Sequence, residues 1–260
     1  MRDDIVNLFQ HWDLIASFAL RDIKARYKQT ALGVAWALLQ PLSMMVIFTV
    51  VFSLFAKVPS DGIPYPVFAY SAVMFWTFFS NAISGGTNAM VANAPLIRKI
   101  YFPRQTLLVA VLLAGLLDLG VASLLFVGLL FYYKVSLSLA ALWVVPLLLL
   151  QIMLTFGVIS LTSAARVSFR DIGHGLPLVV QLWMFATPVA YPISVIPGWL
   201  RPFYLLNPMA AIIDGYRRAL FRGAAPDLPA LGLSVAITVI VTGLALAVFQ
   251  RAERTFADVI

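Results

Sequence analysis

The chain has 260 residues, 62% of them apolar and only 11% charged, with a mean hydropathy of +0.95. Soluble domains are about 45–50% apolar and about 25% charged, so this sequence cannot clothe an aqueous globule, and a cytosolic enzyme is excluded as the starting point. The net charge of +7 comes from 18 basic and 11 acidic residues. In so apolar a chain such residues mark topology and anionic-lipid contacts rather than nucleic acid. There is no cysteine, hence no disulfide framework, thiolate metal site or catalytic thiol.

Residues 1–29 predict an amphipathic helix. Ile5, Leu8, Phe9, Trp12, Ala16, Ala19, Leu20, Ile23 and Tyr27 share one face, with Asn7, Gln10, Asp13, Ser17, Arg21, Lys24 and Lys28 opposite. The segment opens with Asp3 and Asp4 and does not read as a signal peptide. Two settings suit it, the anionic cytoplasmic leaflet or the underside of its own bundle. Residues 30–260 then form one all-α transmembrane region. Runs at 30–56, 62–97, 105–133, 135–165, 172–200 and 228–250 are long enough to cross a bilayer, the third interrupted only by Asp118. The apolar run at 202–213 is too short and predicts re-entrant or interfacial helices between spans five and six. Six spans place both termini on one side. With that side cytoplasmic, 12 basic residues lie inside, including Arg98, Lys99, Arg104, Arg166 and Arg170, against 6 outside. The outer six include Arg201, Arg217, Arg218 and Arg222, a cluster to be explained by packing inside a re-entrant element.

Chemistry is scarce. None of the five lysines is followed by Ser or Thr, so no GxxxxGK[ST] phosphate loop exists. Glu253 is the single glutamate, and His11 and His174 lie far apart without a carboxylate cluster, so neither a catalytic acid–base pair nor a metal site is expected. The chain is expected to be a non-enzyme with no cofactor of its own. Asp118 is the one carboxylate deep in a predicted span. An intramembrane acid points to function, here a secondary carrier or channel. The competing reading is a carboxylate bonded to neighbouring side chains in the bundle.

Five ordered blocks carry a resemblance: RDIKARYKQTALGVAWALLQPL (21–42), PSDGIPYPVFAYSAVMFWTFFSNAI (59–83), IRKIYFPR (97–104), SFRDIGHGLPLVVQLWMFATPVAYP (168–192) and LLNPMAAIIDGYRRALF (205–221). In order and spacing they resemble the polysaccharide-export permeases of the type-2 ABC exporter superfamily. The likeness is strongest to the Wzm-like O-antigen permeases, with KpsM-like capsule and teichoic-acid permeases as relatives. It covers nearly the whole chain. It implies a six-span subunit in the bacterial inner membrane, working as a homodimer with two copies of a cytosolic ABC ATPase that carries the ATP and Mg. It also implies a cargo, a polysaccharide on an undecaprenyl-type lipid, moved from cytoplasm to periplasm. Export of a capsule glycan, teichoic acid, or another lipid or drug is the alternative within the superfamily.

The resemblance also suggests roles. Pro95 and Pro103 bracket a short element whose Leu96, Ile97 and Ile100 form an apolar knob flanked by Arg98, Lys99 and Arg104; it is similar to the helix that docks into the ATPase. Arg170 and Asp171 sit in the second loop on that side, where they serve coupling or form a local ion pair. Trp36, Phe75, Trp76, Phe79, Trp183 and Tyr191 offer apolar faces suited to the C–H faces of sugars along a translocation path, or else form an aromatic belt. Asn207, Pro208, Asp214 and Arg217 fall in a segment that resembles an outer gate. Asp214 and Arg217, three apart, are placed to pair on one helix face. A plain structural cap is the alternative.

Overall fold

A computed structural model describes residues 11–28, 33–100, 102–254 and 256. The first ten residues of the expected interface helix, Arg2, Ile5, Leu8 and Phe9 among them, lie outside the described residues. The rest is all-helical, with no strand among the described residues. In chain order the helices are α1 (Trp12–Tyr27), α2 (Trp36–Phe48), α3 (Tyr65–Ala92), α4 (Ala94–Lys99), α5 (Gln105–Tyr132), α6 (Val144–Ser168), α7 (Ile172–Phe185), α8 (Arg201–Leu205), α9 (Pro208–Phe221) and α10 (Leu228–Glu253).

Five stretches among the described residues are long and apolar enough to cross a membrane: Gly33–Phe55, Tyr65–Ala92, Gln105–Tyr132, Leu139–Ser168 and Leu228–Glu253. At about 1.5 Å per residue even the shortest outspans the roughly 30 Å hydrocarbon core. They match five of the six expected runs to within a few residues. The exception is 172–200. Its helix, α7, stops after 14 residues at Phe185, about 21 Å of rise. Pro188 is the cause: it has no N–H to continue the ladder and disfavours helical geometry at Thr187 before it. Hydropathy alone read through this break because proline costs little on such a scale.

Helix α3 is the axis of the bundle. Over an 18-residue apolar stretch of it, 78% is buried in the chain, against 17% for such a stretch of the first span and 22% for one of the last, so α2 and α10 present their apolar surface outward. Small residues set the closest crossings. A Cβ on Gly86 of α3 would lie 2.8 Å from Ile159 of α6, and one on Gly157 of α6 would lie 2.6 Å from Thr242 Oγ1 of α10.

The two ends of the bundle differ in contents. At one, Arg222 at the end of α9 pairs with Asp61 in the α2–α3 loop at 2.6 Å, Ser194 also reaches Asp61, and Gly223 abuts Ser138. At the other lie α4, the α6–α7 turn and the C-terminal end of α10, where Arg104 and Glu253 pair at 3.6 Å. Arg98, Lys99, Arg104, Arg166, Arg170, Arg251 and Arg254 gather at this second, basic end. The α9 helix starts well inside the bundle, since Ser234, seven residues into α10, donates to the Pro208 carbonyl. It then returns to the first end.

A polar cleft and the elements around it

The site is built on one face of α3. Thr77, Ser80, Asn81, Ser84 and Asn88 recur at spacings of three or four, a polar stripe down an otherwise apolar span. Opposite it, α2 contributes Gln40 and Met44, and α7 contributes Leu176, Pro177, Val180, Gln181 and Met184. These three helices enclose a cleft of ≈ 340 Å³, with Trp76 and Val73 on its wall and Asn88 and Gly173 toward the basic end. Every lining residue is uncharged. Within it the Asn81 amide donates to Gln40 at 3.3 Å and the Asn88 amide to the Ser84 carbonyl at 2.8 Å. At the rim, Arg166 lies across Gly173, where any side chain would collide with its guanidinium, and turns Nη1 to the Arg170 carbonyl.

Of the six aromatic path residues, the structure places one on this cleft, Trp76. Phe75 is buried and stacked on Tyr216 of α9, ring centroids 3.7 Å apart. Phe79 is fully buried and meets Trp183 edge-on at 5.0 Å. Tyr191 donates to the Phe185 carbonyl and contacts the Tyr204 hydroxyl, each at 2.6 Å. Trp36, half exposed, lines a neighbouring cavity that shares Gln40, Thr77 and Asn81 with the cleft and also contains Arg26, Tyr27 and Asp118. The stripe itself escaped the sequence reading, which weighed aromatic rings and charges. Its signal was the 3–4 spacing of hydroxyl and amide side chains within a span.

Asp118 has partners on both oxygens. Arg26 Nη1 donates to Oδ2 at 2.8 Å, and the Tyr27 hydroxyl donates to Oδ1 at 2.6 Å. Burial, and then that hydrogen bond, push the Tyr27 phenol up, so it stays a donor. The carboxylate thus ties the end of α1 to the middle of α5, and Ile15, Phe18 and Ala19 are buried beneath. The described part of the amphipathic segment is packed on its own bundle.

The element expected to dock the ATPase is a single short helix, α4. Arg98, Lys99 and Ile100 are exposed, Leu96 is half-buried and Ile97 is buried. The expected knob is therefore Leu96 and Ile100, while Ile97 anchors the helix. Arg104 does not project with the other cations. Its backbone N–H reaches Glu253 Oε1 at 3.2 Å and its Nη1 the Glu253 carbonyl at 2.5 Å, with Phe256 beside it. Arg170 and Asp171 are exposed in the α6–α7 turn, with no ion pair between them.

Inside the bundle Asn207 caps α9 and accepts from Trp183, and its amide donates to Ala186 and Thr187. Pro208 opens the helix, where its missing N–H costs nothing. Asp214 and Arg217 do not form the expected ion pair. Arg217, 6% exposed, instead donates to the carbonyls of Pro188, Val189 and Tyr191 at 2.5–3.0 Å and lies 3.6 Å over the Phe68 ring. Burial pushes its guanidinium down to about 9, with Asp214 opposing, so it remains a cation at neutral pH. Burial raises the Asp214 carboxyl, against the pull of Arg218, Arg222 and Arg217. Of the four arginines in this cluster, Arg217 is held by those carbonyls, Arg218 pairs with Asp227 and Arg222 with Asp61, while Arg201 is exposed.

A bundle of bilayer-length helices around an uncharged polar cleft, with a basic, partly apolar short helix at one end, defines a multi-pass membrane transport protein. Residues 14–221 match the ABC-2 type transporter family, and the chain belongs to it. It is 30% identical over 256 residues to an O-antigen export system permease protein of Myxococcus xanthus, covering 96% of each chain. It is also 30% identical to one of Klebsiella pneumoniae, covering 98% of this chain and 97% of the relative. A polysialic acid transport protein of Escherichia coli is 23% identical, covering 92% and 93%.

Proposed function

We propose that this chain is the membrane-spanning subunit of an ATP-driven exporter that moves a lipid-linked polysaccharide of O-antigen type out of the cytoplasm. The cleft between α2, α3 and α7 carries the reading. It offers a hydrophilic surface inside an apolar bundle, as a path for a sugar polymer requires. Similarity to two O-antigen export permeases over nearly the full length supports the cargo. The chain lacks a phosphate loop, so ATP and Mg belong to a separate ATPase, two copies of which dock on a homodimer through Leu96, Arg98, Lys99 and Ile100.

In this reading the basic end is cytoplasmic and the protein resides in the bacterial inner membrane, both termini inside. Helix α7 with the following 186–200 segment completes a sixth crossing. Helices α8 and α9 re-enter from the outer side, their irregular backbone tolerated because it is held by protein groups such as Arg217 and Asn207. The experiment is co-purification of the tagged chain from its native operon. A stoichiometric partner with a phosphate loop is the expected result; a lone oligomer overturns the reading.

A further inference from the structure

We propose that the cleft is a binding subsite for an uncharged stretch of glycan, held through hydroxyl and acetamido groups, and that it selects against polyanionic chains; this rests on the export reading above. Each of Gln40, Asn81, Asn88 and Gln181 presents a donor and an acceptor, which matches sugar hydroxyls and N-acetyl groups equally well. Among the described residues the side chains of Ser80, Ser84 and Gln181 make no hydrogen bond to the chain, so their polar atoms are available to a ligand. Ser84 and Gln181 are exposed and Ser80 is half-buried, so a hydroxylated ligand entering the cleft can reach all three. The Trp76 indole adds a flat apolar wall.

The missing charge decides the substrate class. Among the described residues no lining side chain carries a formal charge. The Arg26–Asp118 pair in the neighbouring cavity is internally neutral. Arg166 lies against Gly173, itself part of the lining, so a single guanidinium stands at the cleft's basic end. A carboxylate on every sugar would lose part of its hydration here and, beyond Arg166, would meet no cation, and a charge desolvated without a partner is costly in recognition. A neutral sugar exchanges water for amides and loses little.

The test uses the chain with its co-purified ATPase in lipid nanodiscs and two probes of equal length, chitotetraose (uncharged, acetamido-bearing) and tetrameric sialic acid (anionic), with binding followed by thermophoresis. Chitotetraose is expected to bind more tightly by about tenfold or more, the scale of one well-made polar contact. Gln181→Leu, at an exposed position on α7, and Asn81→Leu should each weaken chitotetraose binding by about tenfold while the ATPase still co-purifies. Gln181→Leu keeps the test alive should Asn81→Leu fold poorly. Equal or tighter binding of the anionic probe, no binding of either, or indifference to both substitutions overturns the subsite. If that happens while the ATPase remains bound, the subsite falls and the export reading stands. If no ATPase is found, both fall.

Discussion

The indole N–H of Trp183 donates to the side-chain oxygen of Asn207 at 2.9 Å, and the same oxygen accepts the backbone N–H of Met209 that opens α9. One side chain thus joins the end of the interrupted helix α7 to the start of the buried helix α9. Replacing it with alanine removes a cap worth about 1 kcal/mol and strands the partners of further hydrogen bonds at about 0.5–1.5 kcal/mol each. Asn207→Ala should lower stability by about 2–3 kcal/mol on those grounds, read as thermal unfolding in nanodiscs. Asn207→Asp keeps the acceptor and should recover part of the loss. If the junction also seals the outer end, ion flux through proteoliposomes rises in Asn207→Ala.

Arg217 makes the same junction from the other side, and here chemistry excludes a lysine substitute. Its planar fork reaches three carbonyls at once while its face lies on Phe68; an ammonium is a compact point charge without that geometry. Arg217→Met leaves the carbonyls without their donor and should cost on the order of 3 kcal/mol. Arg217→Lys should fall nearly as far, since it buries a charge with fewer partners. Full stability in the lysine variant would show that charge, not shape, is what the site needs.

How legible these elements were follows from what each depends on. Five spans could be read because bilayer crossing is a property of local composition and length, and α3 to α10 start and stop close to where the charges and prolines lie. The break in the sixth run could not, because Pro188 weighs little in hydropathy and much in hydrogen bonding. The Asp214–Arg217 pairing expected from helix spacing gave way to backbone carbonyls from Pro188, Val189 and Tyr191, a contact across more than 25 residues of chain that periodicity cannot contain. The polar stripe on α3 was written in the sequence. Its weight emerged only when α2 and α7 proved to face it.

Asp118 offers a test between structure and transport. The pair with Arg26 is partly exposed, at 33% and 21%, so its net worth is held to about 1 kcal/mol by solvent screening. Arg26→Ala leaves a carboxylate without its cation and should destabilise more than Arg26→Ala with Asp118→Ala together, a positive coupling in a double-mutant cycle. Asp118→Asn keeps a partner for Tyr27 and should leave export and its pH profile unchanged. A shifted pH profile in Asp118→Asn would return the carboxylate to the carrier reading.

The two cations on α4 and the one after it should separate cleanly. Arg98 and Lys99 are exposed and unpaired among the described residues, so Arg98→Glu with Lys99→Glu is expected to leave the unfolding temperature alone while reducing ATPase co-purification. Arg104 is clamped to Glu253, and Arg104→Ala should lower stability by about 1–2 kcal/mol through the lost charged hydrogen bonds. Retained ATPase capture in the double charge reversal would place docking elsewhere.

The crossing of α6 and α10 gives the sharpest prediction about packing. Glycine inside a helix is disfavoured by about 1 kcal/mol relative to alanine, so glycine-to-alanine changes in helices ordinarily stabilise. Gly243 on α10 meets nothing within 4 Å of where its Cβ would be, and Gly243→Ala should follow that rule. At Gly157 a Cβ would lie 2.6 Å from Thr242 Oγ1 and 2.9 Å from Thr242 Cα. The second atom is backbone, so no rotamer change relieves it. Overpacking of this kind costs about 1–3 kcal/mol, more than the propensity gain returns, and the two helices must part. Thermal unfolding of the two variants should therefore move in opposite directions, Gly157→Ala down and Gly243→Ala up or unchanged. Equal behaviour would mean that α6 and α10 do not approach as closely as their small residues permit.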